Sequence, residues 1–89
     1  MTIEEGKLEI GKILKEEAEK QNVSIDRVIW FDDGTSQRAA TRFTLRVYGT
    51  SGSITEKAFT PEHLTIFQSD NQLLMQVHQK IIGIVVKLK

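Results

Sequence analysis

From Arg42 to Tyr48 the sequence alternates without a break. Phe43, Leu45 and Val47 are apolar, and Arg42, Thr44, Arg46 and Tyr48 stand between and around them. Successive side chains of a strand point to opposite faces, so this period of two predicts a half-buried strand with an apolar inner face. Such a strand needs neighbours and a covering layer. In a chain of 89 residues that leaves room for one domain with a small core, since a chain of this size buries only roughly 60–65% of its unfolded surface.

The segments around the strand supply both. Thr2-Ile3-Glu4-Glu5 has the spacing of a capping box, in which Thr2 and Glu5 each satisfy a backbone N–H at a helix start. Ile3, Ile10, Ile13, Leu14 and Ala18 then recur at helical spacing, and the helix should end near Gln21-Asn22. Gly6 and Gly11 weaken it by up to ~1 kcal/mol each relative to alanine, and close packing against a neighbour is one reason to keep glycine there. Val28-Ile29-Trp30-Phe31 is rich in β-formers and is followed by the turn signal Asp33-Gly34. Gly49-Thr50-Ser51-Gly52 turns the chain again, and Ile54 to Phe59 suits a third strand. Short turns favour an antiparallel meander.

Thr60-Pro61-Glu62 reads as the start of a short helix: a capping threonine, proline where no N–H is needed, and an acid near the positive dipole end. Ser69 and Gln72 match a second capping box, after which Leu73, Leu74, Val77, Ile81, Val85 and Leu88 form one helical stripe. That helix is expected from Asn71 to about Ile82. Residues 83–89 suit either its continuation or an extra C-terminal strand, because Ile82, Ile84, Val86 and Leu88 also alternate. The expected fold class is therefore α+β in a single domain: an N-terminal helix, a three-stranded antiparallel meander, then one short and one longer C-terminal helix.

Composition removes several functions. There is no cysteine, hence no disulfide, thiolate metal site or cysteine nucleophile. The longest apolar run, Ile81 to Val86, includes Gly83 and is far below the roughly 20 residues that span a bilayer. The acidic start at Glu4 and Glu5 is unlike a signal peptide, so a soluble cytoplasmic protein without membrane partners is expected. Twelve basic and twelve acidic residues cancel, but unevenly. Residues 1–33 hold nine acids and five bases, a net of −4, and residues 34–89 hold seven bases and three acids, a net of +4. Opposed halves can attract within one chain or between two copies.

Chemistry-bearing constellations are thin. His63 falls in the first turn of the short helix and His78 near the edge of the long stripe, and both read as surface or boundary histidines too far apart for a metal-ligand spacing. Asp32 and Asp33 would point to opposite faces of a strand, so they read as turn-formers rather than as an acid pair. Ser51 and Ser53 lack any nucleophile-elbow or phosphate-loop context. A core this small leaves little room for a pocket of ~300 Å³ or more. No catalytic residue, metal or cofactor is expected, and the chain reads as a non-enzyme.

One surface stands out. With Phe43, Leu45 and Val47 inward, Arg38, Arg42, Arg46 and Tyr48 share the opposite face. If Ile29 and Phe31 also point inward, Trp30 joins them, bordered by Asp26 and Asp32. Trp30, Arg38, Arg42, Arg46 and Tyr48 are therefore the candidate binding residues. Such residues are enriched at protein interfaces, and rings beside guanidinium groups also serve single-stranded nucleic-acid platforms. The zero net charge weighs against phosphate binding. In its order of helix, three strands and helix the chain resembles double-stranded-RNA-binding domains. Those domains grip phosphates with a lysine cluster at the start of the last helix. Here that stretch reads Ser69-Asp70-Asn71-Gln72, with an acid and no lysine before Lys80, and so departs from the family where its function resides. The expectation is a protein–protein interaction module or assembly subunit that self-associates, given the apolar surplus in Ile81 to Leu88 and the opposed charges; nucleic acid is the alternative partner.

Overall fold

Thr2 caps the first helix as its spacing to Glu5 requires. Its hydroxyl accepts from the Glu5 N–H at 3.1 Å, and the Glu5 carboxylate accepts from the Thr2 N–H at 3.0 Å. The computed structural model describes residues 1–32 and 42–89, and the first helix, α1, runs Ile3–Lys20. It ends where Asn22 takes a left-handed conformation (φ 57°). The N–H groups of Asn22 and Val23 then close back on the carbonyls of Glu19 and Ala18, the arrangement that satisfies a helix C-terminus. Gly6 faces the backbone carbonyl of Leu64 so closely that no Cβ would fit, so this glycine is a packing requirement. Gly11 has open space in front of it.

Three strands follow, β1 (Ile25–Asp32), β2 (Phe43–Gly49) and β3 (Ile54–Phe59), antiparallel in the order β1-β2-β3. The expected meander is present. Its second turn places Gly52 at φ 94°, a conformation glycine adopts without strain. The Asp33-Gly34 turn and Arg38 lie outside the described residues. Along β2 the alternation is realised: Phe43, Leu45 and Val47 are buried, and Thr44, Arg46 and Tyr48 between them are half-buried.

Thr60 and Pro61 open α2 (Pro61–Thr65), and a single 3-10 turn (Phe67–Ser69) leads to α3 (Asn71–Leu88). The cap of α3 is Asp70, not Ser69. The Asp70 Oδ1 accepts from the N–H groups of Gln72 at 2.9 Å and Leu73 at 3.1 Å, while the Ser69 hydroxyl turns back to the Ile66 carbonyl. Residues 83–88 continue the helix and form no extra strand. Val77, Ile81, Ile84, Val85 and Leu88 lie on one helical face and are all buried; a strand would have sent Ile84 and Val85 to opposite sides. Most of the apolar surplus at the C-terminus is thus absorbed by this chain's own core, leaving Ile82 and Val86 exposed.

α3 lies over β2 and β3, and α1 packs on α2 and α3. The core gathers Ile10, Leu14 and Ala18 of α1, the inner faces of β2 and β3, Leu64, Phe67 and the α3 stripe. His63 belongs to this interior, at 7% exposure, which corrects the expectation of a surface or boundary position. Its Nδ1 accepts from the Thr60 N–H at 3.0 Å, and its Nε2 meets the Gln76 amide oxygen at 2.8 Å. This imidazole completes a capping box with Thr60.

Candidate interaction surfaces

Register decides which side chains share a face. Trp30 pairs with Leu45, Val28 with Val47 and Asp32 with Phe43, whereas Ile29 pairs with Arg46 and Phe31 with Thr44. Directly opposed residues of an antiparallel pair point the same way. Trp30 therefore lies on the core side with Val28, and Ile29 and Phe31 stand on the outer side with Arg46. This reverses the expected parity of β1, and with it the placement of Trp30 beside the arginines. Trp30 is half-buried against the core, its ring 5.6 Å from that of Phe59. Arg46 and Tyr48 are on the outer face as expected, and Arg42 is exposed just before β2.

That outer face is already partnered. The Arg27 guanidinium lies 4.4 Å from the centre of the Tyr48 ring, and the Arg46 guanidinium 4.6 Å from that of Phe31. Arg46 also donates to the Tyr48 phenol at 3.3 Å and pairs with Glu56 at 3.2 Å. The hydrogen bond to Tyr48, joined by Glu56 and opposed by desolvation, raises the pKa of this guanidinium above its usual value. Each ring thus has a guanidinium against it where a stacking platform needs open aromatic faces.

A second surface lies on the other side of the sheet. Because α1 packs on the other helices, the inner side of β1 is only partly covered. Between them opens a groove of about 920 Å³, larger than the small core led one to expect. Leu8, Gly11 and Leu14 of α1 form one wall, and Val28 and Trp30 of β1 the other. Leu8 is 69% exposed and Val28 42%. Lys7, Lys12 and Lys15 stand on the helical wall with Glu4 and Glu19, and Asp26 on the strand wall. Among the described residues no strand pairs with the outer edge of β1.

Lys7 is the residue that sequence reasoning missed. Its ammonium lies 3.0 Å from Asp32 and 3.5 Å from Glu4, and within 6 Å of both the Trp30 and Phe43 ring centres (5.7 and 5.3 Å). The signal was its position: Lys7 falls between Ile3 and Ile10 on the apolar stripe of α1, where a charge calls for a partner. Among the described residues no group of three histidine, cysteine or acidic side chains could hold a metal ion. No described helix is long and apolar enough to cross a membrane.

Comparison with protein families, with curated proteins and with solved structures finds no match.

Proposed function

We propose that this chain is a protein–protein interaction module, an assembly subunit that accepts an extended polypeptide segment beside β1. The observation that carries the reading is the groove itself, in which a strand edge that no described strand pairs with runs along an apolar space walled by α1. Strand addition of this kind draws affinity from main-chain hydrogen bonds and specificity from pockets for alternate side chains. Layer widths support it. Two packed helices, each about 10 Å across, cover a band near 20 Å. Three strands at about 4.8 Å spacing cover about 14 Å, so the sheet is short of its helical layer by roughly one strand. With α3 over β2 and β3, the deficit falls under α1.

The alternative, a nucleic-acid face, has less behind it. Trp30 is on the wrong side, and the Tyr48 and Phe31 rings are engaged by Arg27 and Arg46.

Selection of short unstructured peptides displayed against the immobilised chain, followed by mapping of amide shifts, tests the reading. Retained peptides should perturb β1 and the facing side of α1, and Val28→Lys should weaken them about tenfold. Shifts confined to the outer face around Phe31 and Tyr48, or no peptide retained, would overturn it.

A further inference from the structure

We infer that the segment taken up beside β1 is selected by a notch at Gly11, which receives a large aromatic side chain, and by Lys15 one turn on, which receives an acidic one. This rests on the strand-addition reading and names the chemistry of its partner: an extended peptide with an aromatic residue and, two positions later, a carboxylate.

Gly11 has no role inside the chain. Gly6 is required by the Leu64 carbonyl, but a Cβ at Gly11 would meet nothing within 4 Å. Glycine inside a helix is destabilising relative to alanine, and no contact among the described residues calls for it at this position. The space it leaves opens into the groove. Leu8 and Leu14, three residues away on either side, share that face of α1, so the notch has apolar flanks.

The opposite wall lies at a definable offset. Lys7 meets Asp32 at one end of the groove, and residues 21–24 join α1 to β1 at the other, so the two elements run side by side in opposite directions. The helical turn from Lys7 to Gly11 advances about 6 Å, and the two strand residues from Asp32 to Trp30 about 7 Å. Gly11 is thus level with Trp30, and Lys15, a further turn on, with Val28. A side chain entering the notch meets the indole, which suits an aromatic ring better than an aliphatic one.

Charge sets the second position. Lys7 is held by Asp32 and Glu4, and Lys12 by Glu9. Among the described residues no carboxylate pairs with Lys15, which lines the groove. The acids of the groove lie toward its ends, Glu4 beside Lys7 and Glu19 and Asp26 beyond Lys15. Opposite charges facing each other across an interface favour the correct partner and register. Side chains on one face of a strand repeat about every 7 Å, close to the turn of about 6 Å between Gly11 and Lys15. A segment antiparallel to β1, as the pairs of this sheet are, runs in the direction of α1 and so presents the ring first and the acid two residues later.

The probe is the synthetic peptide Thr-Val-Thr-Phe-Thr-Asp-Thr, labelled and titrated against the whole chain by fluorescence anisotropy. Replacing its Phe by Ala, or exchanging its Phe and Asp, should weaken binding about tenfold. Gly11→Leu fills the notch and should weaken the probe at least about tenfold, yet leave thermal stability at or above that of the parent, which separates lost binding from lost folding. Lys15→Glu should reverse the charge preference, so that a probe with Lys in place of Asp binds about threefold better. No binding of the probe, equal affinity for the Phe and Ala peptides, an unchanged affinity in Gly11→Leu, or an unchanged charge preference in Lys15→Glu overturns the inference. If selected peptides still perturb β1 in that event, strand addition stands and only the notch falls; if no peptide perturbs β1, both fall.

Discussion

The Lys7 ammonium and the Asp32 carboxylate meet at 3.0 Å, tying the first turns of α1 to the last residue of β1 at one end of the groove. An exposed ion pair contributes little, about 0–1 kcal/mol. The Lys7 side chain, however, is only 11% exposed, and its ammonium lies over the Trp30 and Phe43 rings. Lys7→Ala should therefore destabilise by about 1–2 kcal/mol, mostly through lost packing. Lys7→Met should recover most of that loss, and Asp32→Asn should cost under about 1 kcal/mol. Urea denaturation followed by the emission of Trp30, the single tryptophan, gives all three values; a Met variant as weak as the Ala variant would make the charge the main contributor.

The two glycines of α1 should respond in opposite directions. Gly6→Ala drives a methyl into the Leu64 carbonyl and should cost about 1–3 kcal/mol as α1 and α2 are forced apart. Gly11→Ala meets nothing within 4 Å and should stabilise by about 0.5–1 kcal/mol through helix propensity. Thermal unfolding of the two variants beside the parent decides the matter, and equal signs would contradict the packing described.

The Glu5 carboxyl is held below its ordinary value of 4.5, first by the Thr2 backbone N–H and then by the Thr2 hydroxyl. A carboxyl whose pKa is depressed by folding stabilises the fold above its unfolded pKa, and that contribution disappears as pH falls through the folded one. The stability difference between the parent and Glu5→Ala should thus be full at neutral pH and shrink below 4.5. Chemical denaturation at a series of pH values measures it. A difference that grew on acidification would refute the capping role.

His63 holds two partners from inside the core, the Thr60 N–H and the Gln76 amide. His63→Leu keeps the bulk but leaves the Thr60 N–H without an acceptor, and should cost about 1–3 kcal/mol. Gln76→Ala removes one of the two bonds and should cost about 1 kcal/mol or less. Hydrogen exchange of the Thr60 amide should quicken in the first variant and stay near the parent rate in the second.

Much of the architecture could be read from local signals, because those signals are strong where one physical requirement acts alone. The alternation through Phe43, Leu45 and Val47 left one inward face, Thr2 and Glu5 answered each other at one helix start, and Pro61 suits a first helical turn. β1 was a different case. Val28, Ile29, Trp30 and Phe31 are apolar at both parities, so nothing in the run itself chose a face. Pairing with β2 made the choice and sent the indole inward. The cap at Asp70 was hidden because Ser69, one residue earlier, offered an equally good spacing to Gln72. The end of α3 was open because its β-branched residues satisfy both periods, and only burial of Ile81, Ile84, Val85 and Leu88 on one face distinguishes them. The groove could not be seen at all: it arises from where α1 sits relative to β1, a distance no sequence pattern encodes.

The ammonium of Lys57, turned toward Gly83 on the far border of the sheet, bears on how large any assembly can become. A polypeptide that could recruit neighbours along both flanks would polymerise into a fibre. Here the inward Lys57 obstructs recruitment on one flank, so any strand addition would be confined to the other and an endless ribbon is disfavoured.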